Sequence, residues 1–150
     1  MRTQTVKVEF VESAPRPLSE GVLYISDRFR IALHLCCCGC GNEVVTPLNP
    51  AGWSYKREAG TVTLKPSIGN WSFPCRSHYL IIRNEVVWAK PMSAQQIAMV
   101  KAKDARDKKA LIDRGNASKM SKNIESRVAS RFTPFKETDL FTSVRRWLGM

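Results

Sequence analysis

No run in this 150-residue chain is apolar over the length needed to cross a bilayer. The opening Met1-Arg2-Thr3-Gln4 and the alternating residues after it lack the continuous apolar stretch of a secretory signal. Both absences lead to the expectation of a cytoplasmic protein with no membrane-embedded part. Internal repeats are missing too. Acidic residues are scarce, with 13 Asp and Glu against 24 Lys and Arg, so the net charge is +11. Residues 1–90 carry 11 basic and 7 acidic side chains and the rest carry 13 and 6, an excess of +4 and then +7. This balance favours polyanions or acidic protein surfaces as partners and says nothing of fold. Spacing suited to disulfides is also lacking. The five cysteines lie at 36, 37, 38, 40 and 75, an odd number with four crowded where neighbouring thiols cannot bridge without strain. A reducing compartment and a metal account for them better.

The 43% hydrophobic content supplies one modest core. Val6, Val8 and Phe10 alternate with polar residues at the period of a strand with one buried face. Gly21–Ser26 and then Phe29, Ile31, Leu33 and Leu35 continue in strand pattern, with Arg30, Ala32, His34 and Cys36 on the opposite face. Glu43–Thr46 is predicted as a strand stopped by Pro47, and Thr61–Lys65 as another stopped by Pro66. His78–Ile82 and Val86–Ala89 flank Arg83-Asn84-Glu85, which makes a hairpin if Asn84 takes positive φ. After Met92 the pattern becomes helical: Ser93 and Gln96 form a capping box, and proline is absent until Pro134. Gly115-Asn116 is expected to end this helix, and a second is expected from Asp139 along Leu140, Val144, Trp147 and Leu148. The fold class is therefore mainly β (α+β): a small zinc-braced β domain over residues 1–90 and a basic helical appendage over 91–150.

His34-Leu-Cys-Cys-Cys-Gly-Cys-Gly41 offers five ligands in seven residues, with glycines where a turn must bring amides close to sulfur. A knuckle can be drawn through Cys37 and Cys40, whereas strand alternation favours Cys36, Cys38 and Cys40. The second set is preferred, with Cys37 turned to the core and Cys75 as the remaining cysteine to complete a tetrahedron. Thiolates select zinc over magnesium or calcium. Four cysteines make a structural site; a histidine and a water make a catalytic one.

A second concentration of polar residues surrounds Ser67, Asn70, Ser77 and His78. In extended chain Ser77 and His78 point to opposite faces, so the base for Ser77 is more naturally His34. The alternative pairs His78 with Ser67, with Gly69 and Asn70 as donors to an oxyanion. A third possibility is that the serines cap turns and the two histidines bind metal or fill the core.

The combination of Gly21–Ser26, His34–Gly41, Thr46-Pro-Leu48, Trp53, Leu64-Lys-Pro-Ser-Ile-Gly-Asn-Trp71, Cys75-Arg-Ser-His-Tyr79 and Val87-Trp88 resembles a bacterial family of small cysteine/histidine-motif proteins encoded beside ubiquitin-like conjugation genes. The resemblance covers residues 18 to 90 and leaves out the basic tail. It implies a peptidase that matures a ubiquitin-like protein or removes it from targets, with that protein and its conjugation enzymes as partners. The functional positions it implies are His34, Cys36, Cys38, Cys40, Ser67, Asn70, Cys75, Ser77 and His78. The expected activity is hydrolysis of a peptide or isopeptide bond beside a zinc held by Cys36, Cys38, Cys40 and Cys75. A serine-type mechanism, with Ser77 ahead of Ser67 as nucleophile, is favoured over zinc-bound water. The competing expectation is a non-enzymatic zinc module whose basic tail binds nucleic acid or an acidic protein.

Overall fold

The computed structural model describes residues 1–131, and side chains as far as residue 127. Eight strands precede one helix: β1 (Lys7–Phe10), β2 (Val22–Ser26), β3 (Ile31–Leu35), β4 (Glu43–Pro47), β5 (Ser54–Glu58), β6 (Thr61–Gly69), β7 (His78–Ile82), β8 (Glu85–Trp88) and α1 (Ala94–Arg131). They form two sheets of four strands, each in chain order. All neighbours are antiparallel except β1 and β2, which run parallel. Single bridges join the sheets at both seams, Leu48 to Trp53 and Thr5 to Glu85. The second seam is reinforced by the Val6 amide on the Asn84 carbonyl and the Val86 amide on the Gln4 carbonyl.

The core lies between the sheets, where Leu23, Ile25 and Ala32 of one meet Val62, Leu64, Ile68, Tyr79 and Ile81 of the other. Side-chain alternation decides what each strand sends inward. On β7, Tyr79 and Ile81 are buried while His78 and Leu80 are half-exposed on the outer face. On β3, Ala32 and His34 go inward, and Leu33 and Ile31 pack on a smaller cluster with Leu18 and Tyr24. Burying each large side chain contributes roughly 2 kcal/mol.

Several strands differ from the sequence expectation. β6 does not stop at Pro66; it runs through to Gly69, and the Lys65–Pro66 peptide is cis. Between the pairs Leu64↔Ile81 and Ile68↔Tyr79 the register shifts, so Lys65, Pro66 and Ser67 all oppose Leu80. A proline is tolerated within a sheet at such a bulge, where no ladder donor is required of it. The bulge adds two residues, an even number, so alternation is preserved and Ser67 stays on the outer face. β5 was not expected at all: Ser-Tyr-Lys-Arg-Glu has no apolar alternation, because it is an edge strand kept charged.

The β7–β8 turn is tighter than expected, with Ile82 paired to Glu85 and only Arg83 and Asn84 in the loop. Both have positive φ, 50° and 70°, the conformation such a two-residue turn requires. Asn84 also accepts the Val62 amide on its side-chain oxygen at 2.7 Å. Asn84→Ala should therefore lower stability by about 2 kcal/mol in urea unfolding, through the left-handed backbone and the lost bond. Asn84→Gly should cost less, since glycine keeps the turn.

α1 starts as expected: the Ser93 amide meets Gln96 Oε1 at 2.8 Å and the Gln96 amide meets Ser93 Oγ at 3.2 Å. It does not end at Gly115-Asn116 but continues to Arg131. One interior glycine costs only about 1 kcal/mol, which the good helix formers around it outweigh. The chain divides into two units, a compact one over Met1–Leu111 and a second that begins at Ile112. Residue 90, after which a domain limit is expected, lies between the end of β8 and the start of α1. No described helix is long and apolar enough to cross a membrane. The helix expected from Asp139 lies outside the described residues.

Candidate active site and metal centre

Two polar sites occupy the two faces of the β5–β8 sheet. The inner one begins at the end of β3, where the chain enters a turn closed by the Gly39 amide on the Cys36 carbonyl at 3.0 Å and the Cys36 amide on the Asn42 carbonyl at 2.8 Å. Gly39 has a φ of 82°, and a Cβ there would lie 2.7 Å from the Met1 carbonyl oxygen, so only glycine fits between the turn and the N-terminal residue. Across the core, the turn closed by the Phe73 amide on Asn70 and the Arg76 amide on Phe73 brings in Cys75.

The sulfurs of Cys36, Cys38, Cys40 and Cys75 all lie within 4.8 Å of one another. Cys36 and Cys38 are 3.4 Å apart, Cys40 and Cys75 3.7 Å, and Cys36 and Cys75 4.0 Å. A tetrahedral thiolate site with bonds of about 2.3 Å has sulfur–sulfur edges of about 3.8 Å, so the four fit one metal ion. Cys37 is 1% exposed and belongs to the core instead. Its thiol is pushed up to about 11, mainly by burial. The Asn42 backbone amide, the largest of several influences, holds Cys40 down to about 6, while burial pushes the neighbouring Cys38 thiol up.

Ser77, Asn70, Tyr79 and His34 extend this inner site. Ser77 is 7% exposed, with its Oγ 3.1 Å from Cys36 Sγ and accepting from Asn70 Nδ2 at 2.8 Å. The Asn70 amide group also reaches Cys36 Sγ and the Tyr79 hydroxyl, each at 3.5 Å. Tyr79 in turn meets His34 Nε2 at 2.8 Å. The structure does not bring Ser77 and His34 together as a pair: the hydrogen-bonded route between them runs through Asn70 and Tyr79. Burial lowers His34 to about 4, which makes it a weak base at neutral pH. Asn70 does not reach the outer site either, since its backbone amide binds the Ser77 carbonyl at 2.9 Å and its side chain is taken as above. Neither His34 nor His78 belongs to the cluster of potential ligands formed by Cys36, Cys38, Cys40 and Cys75.

The outer site joins the other serine and the other histidine. Ser67, in the β6 bulge, lies 3.1 Å from His78 Nε2. His78 Nδ1 lies 3.2 Å from the Lys90 carbonyl oxygen. That oxygen can only accept, so Nδ1 carries the proton and Nε2 turns its lone pair to the serine hydroxyl. The Trp71 ring lies against the imidazole with centroids 4.9 Å apart and planes tilted by 56°. Ser67 and His78 open into a pocket of about 620 Å³ walled by Trp53, Pro50, Leu80 and Lys65. A second pocket of about 510 Å³, reaching Asp27 and Arg30, shares Asn49, Pro50, Trp53 and Ser54 with it. Sequence reasoning missed Lys90, for which there is no signal because every residue carries a carbonyl. It also assigned Trp71 no part in holding His78.

Residues 10–89, more than half of the chain, match the model of a family described as bacterial ubiquitination-like system serine protease (BubE). No curated protein and no solved structure matches.

Proposed function

The chain belongs to the family of bacterial ubiquitination-like system serine proteases, and from that premise we propose that it cleaves the peptide or isopeptide bond at the C-terminal tail of a ubiquitin-like protein, with Ser67 as nucleophile and His78 as general base. The observation that carries this reading is the 3.1 Å contact of Ser67 Oγ with His78 Nε2 at the mouth of a pocket. Of the two serines weighed from sequence, Ser67 is the one a substrate can approach. Ser77 is enclosed beside the cysteines.

The chemistry follows from the tautomer. His78 removes the Ser67 proton as Oγ attacks the scissile carbonyl carbon, and the resulting imidazolium is steadied by the Lys90 carbonyl on Nδ1. The same proton passes to the departing amine as the C–N bond breaks, leaving an acyl-enzyme. Water, deprotonated by His78, then releases the tail as a carboxylate and restores the serine. The backbone carbonyl takes the orienting place that a carboxylate holds in a three-residue relay. The pocket wall of Trp53, Pro50 and Leu80 suits an extended apolar or small-residue tail. The test is labelling of Ser67 by a fluorophosphonate together with cleavage of a C-terminally extended ubiquitin-like partner.

The four cysteine sulfurs are proposed to hold zinc, which, when bound, acts as a structural clamp between the β3–β4 turn and the residue 70–76 turn. Ser77 and Asn70 then serve the metal site, directing their polar hydrogens at the charge on Cys36 sulfur. The exposed basic excess of α1 supports binding to a polyanion apart from cleavage. Ending the chain after Ser93 should abolish salt-sensitive retention on nucleic acid while cleavage persists, as read by binding in 50 and 200 mM salt.

A further inference from the structure

We infer that Trp71 is a positioning residue for His78, its indole seated on the bare backbone of Gly69 and braced against the imidazole that faces Ser67. This rests on the reading of Ser67 and His78 as nucleophile and base. Three observations converge on it. Gly69 is the cross-strand partner of His78 in the β6–β7 register, so whatever fills the space above residue 69 becomes the lateral neighbour of the imidazole. A Cβ on Gly69 would overlap the Trp71 ring itself, so the glycine leaves the place the indole takes. The Trp71 ring then contacts His78 at 4.9 Å between centroids.

A bland reading would make Trp71 a core aromatic, but its surroundings argue otherwise. Trp53 and Trp88 pack on the main core cluster, whereas Trp71 does not. It is half-buried on the outer face, where its ring neighbour is the histidine. The need for such a brace is physical. The ring torsion of histidine is broad, and His78 stands on the open face of a sheet. The Lys90 carbonyl, in the segment leaving β8, fixes the tautomer but holds only one ring atom. Rotation of the ring would break the Ser67 and Lys90 contacts together, and the indole blocks it from the side.

The experiment compares the full zinc-loaded chain with Trp71→Leu, Trp71→Phe and Gly69→Ala. The measurements are the fluorophosphonate labelling rate at Ser67, kcat and KM on the precursor, zinc content and the NMR positions of the His78 ring protons. Trp71→Leu should slow labelling and kcat by roughly 30-fold, the scale of a misplaced catalytic group, with KM within about twofold and zinc unchanged. The ring-current displacement of the His78 protons should vanish in that variant. Trp71→Phe should recover most of the rate because a flat ring still braces the imidazole. Gly69→Ala should behave like Trp71→Leu, since it expels the indole without removing it. Labelled wild type with Trp71→Leu equally fast overturns the inference alone, as does Trp71→Phe being as slow as Trp71→Leu. Wild type that is unlabelled at Ser67 overturns the reading beneath it.

Discussion

Ser67→Ala should reduce cleavage of a ubiquitin-like precursor by about 10⁴-fold or more, and His78→Ala should do the same. Combining the two should cost little beyond either alone, because nucleophile and base act as one unit and their losses do not add. Ser77→Ala makes the contrast. Its hydroxyl lies between Cys36 sulfur and the Asn70 amide, so removing it leaves a buried donor without its partner, at a cost of about 1–3 kcal/mol in stability. Turnover per folded, metal-loaded molecule should remain within a few fold of wild type. His34→Gln should likewise weaken the fold rather than the chemistry, since His34 sits 1% exposed against Tyr79. The reading is overturned by a Ser77→Ala protein that keeps its zinc and its fold yet is inactive, with Ser67→Ala still turning over.

The reason these two serines were hard to rank from sequence lies in the parity of the β6–β7 pair. Alternation placed Ser77 and His78 on opposite faces correctly, but it cannot say which face is the core. Tyr79 and Ile81, both fully buried, settle that by carrying Ser77 inward with them. Position 67 was harder still. Pro66 reads as the end of a strand, and only the three-against-one pairing opposite Leu80 keeps Ser67 in the sheet beside His78. Long-range pairing of this kind has no local signature. The cysteine set needed less, because the turn glycines and the alternation of Cys36 and Cys38 are local, and Cys75 was the remaining cysteine.

The same division runs through the fold. Elements with a local cause were legible: the capping box at Ser93 and Gln96, the positive φ at Asn84, the alternation of β3. β5 was not, because an edge strand half wetted by solvent has no apolar period to read, and its place is set by pairing with β6. The helix end was misjudged at Gly115 because a glycine's helix cost is only about 1 kcal/mol, and nothing within 4 Å of its Cβ position forces a break.

Metal removal should have the other large effect. Purified protein should carry about one zinc per chain, and a strong chelator should unfold the β strands, because the site ties the end of β3 to the turn before β7 across the core. Cys36→Ala, Cys38→Ala, Cys40→Ala and Cys75→Ala should each lose the metal and most of the folded population. Cys37→Ala should keep the metal and cost about 1–2 kcal/mol, the price of a small cavity where its side chain is 1% exposed. Metal exchange separates the bracing role from a catalytic one. Cadmium accepts the same four thiolates but polarises water poorly, so a cadmium-loaded enzyme should keep kcat within about twofold if the ion only braces the fold. Circular dichroism, metal analysis and turnover on the same samples decide the matter. A folded, active protein free of metal would overturn the structural site. A cadmium form that folds normally but loses turnover would move the chemistry from Ser67 to a metal-bound water, and the outer site would then need another purpose.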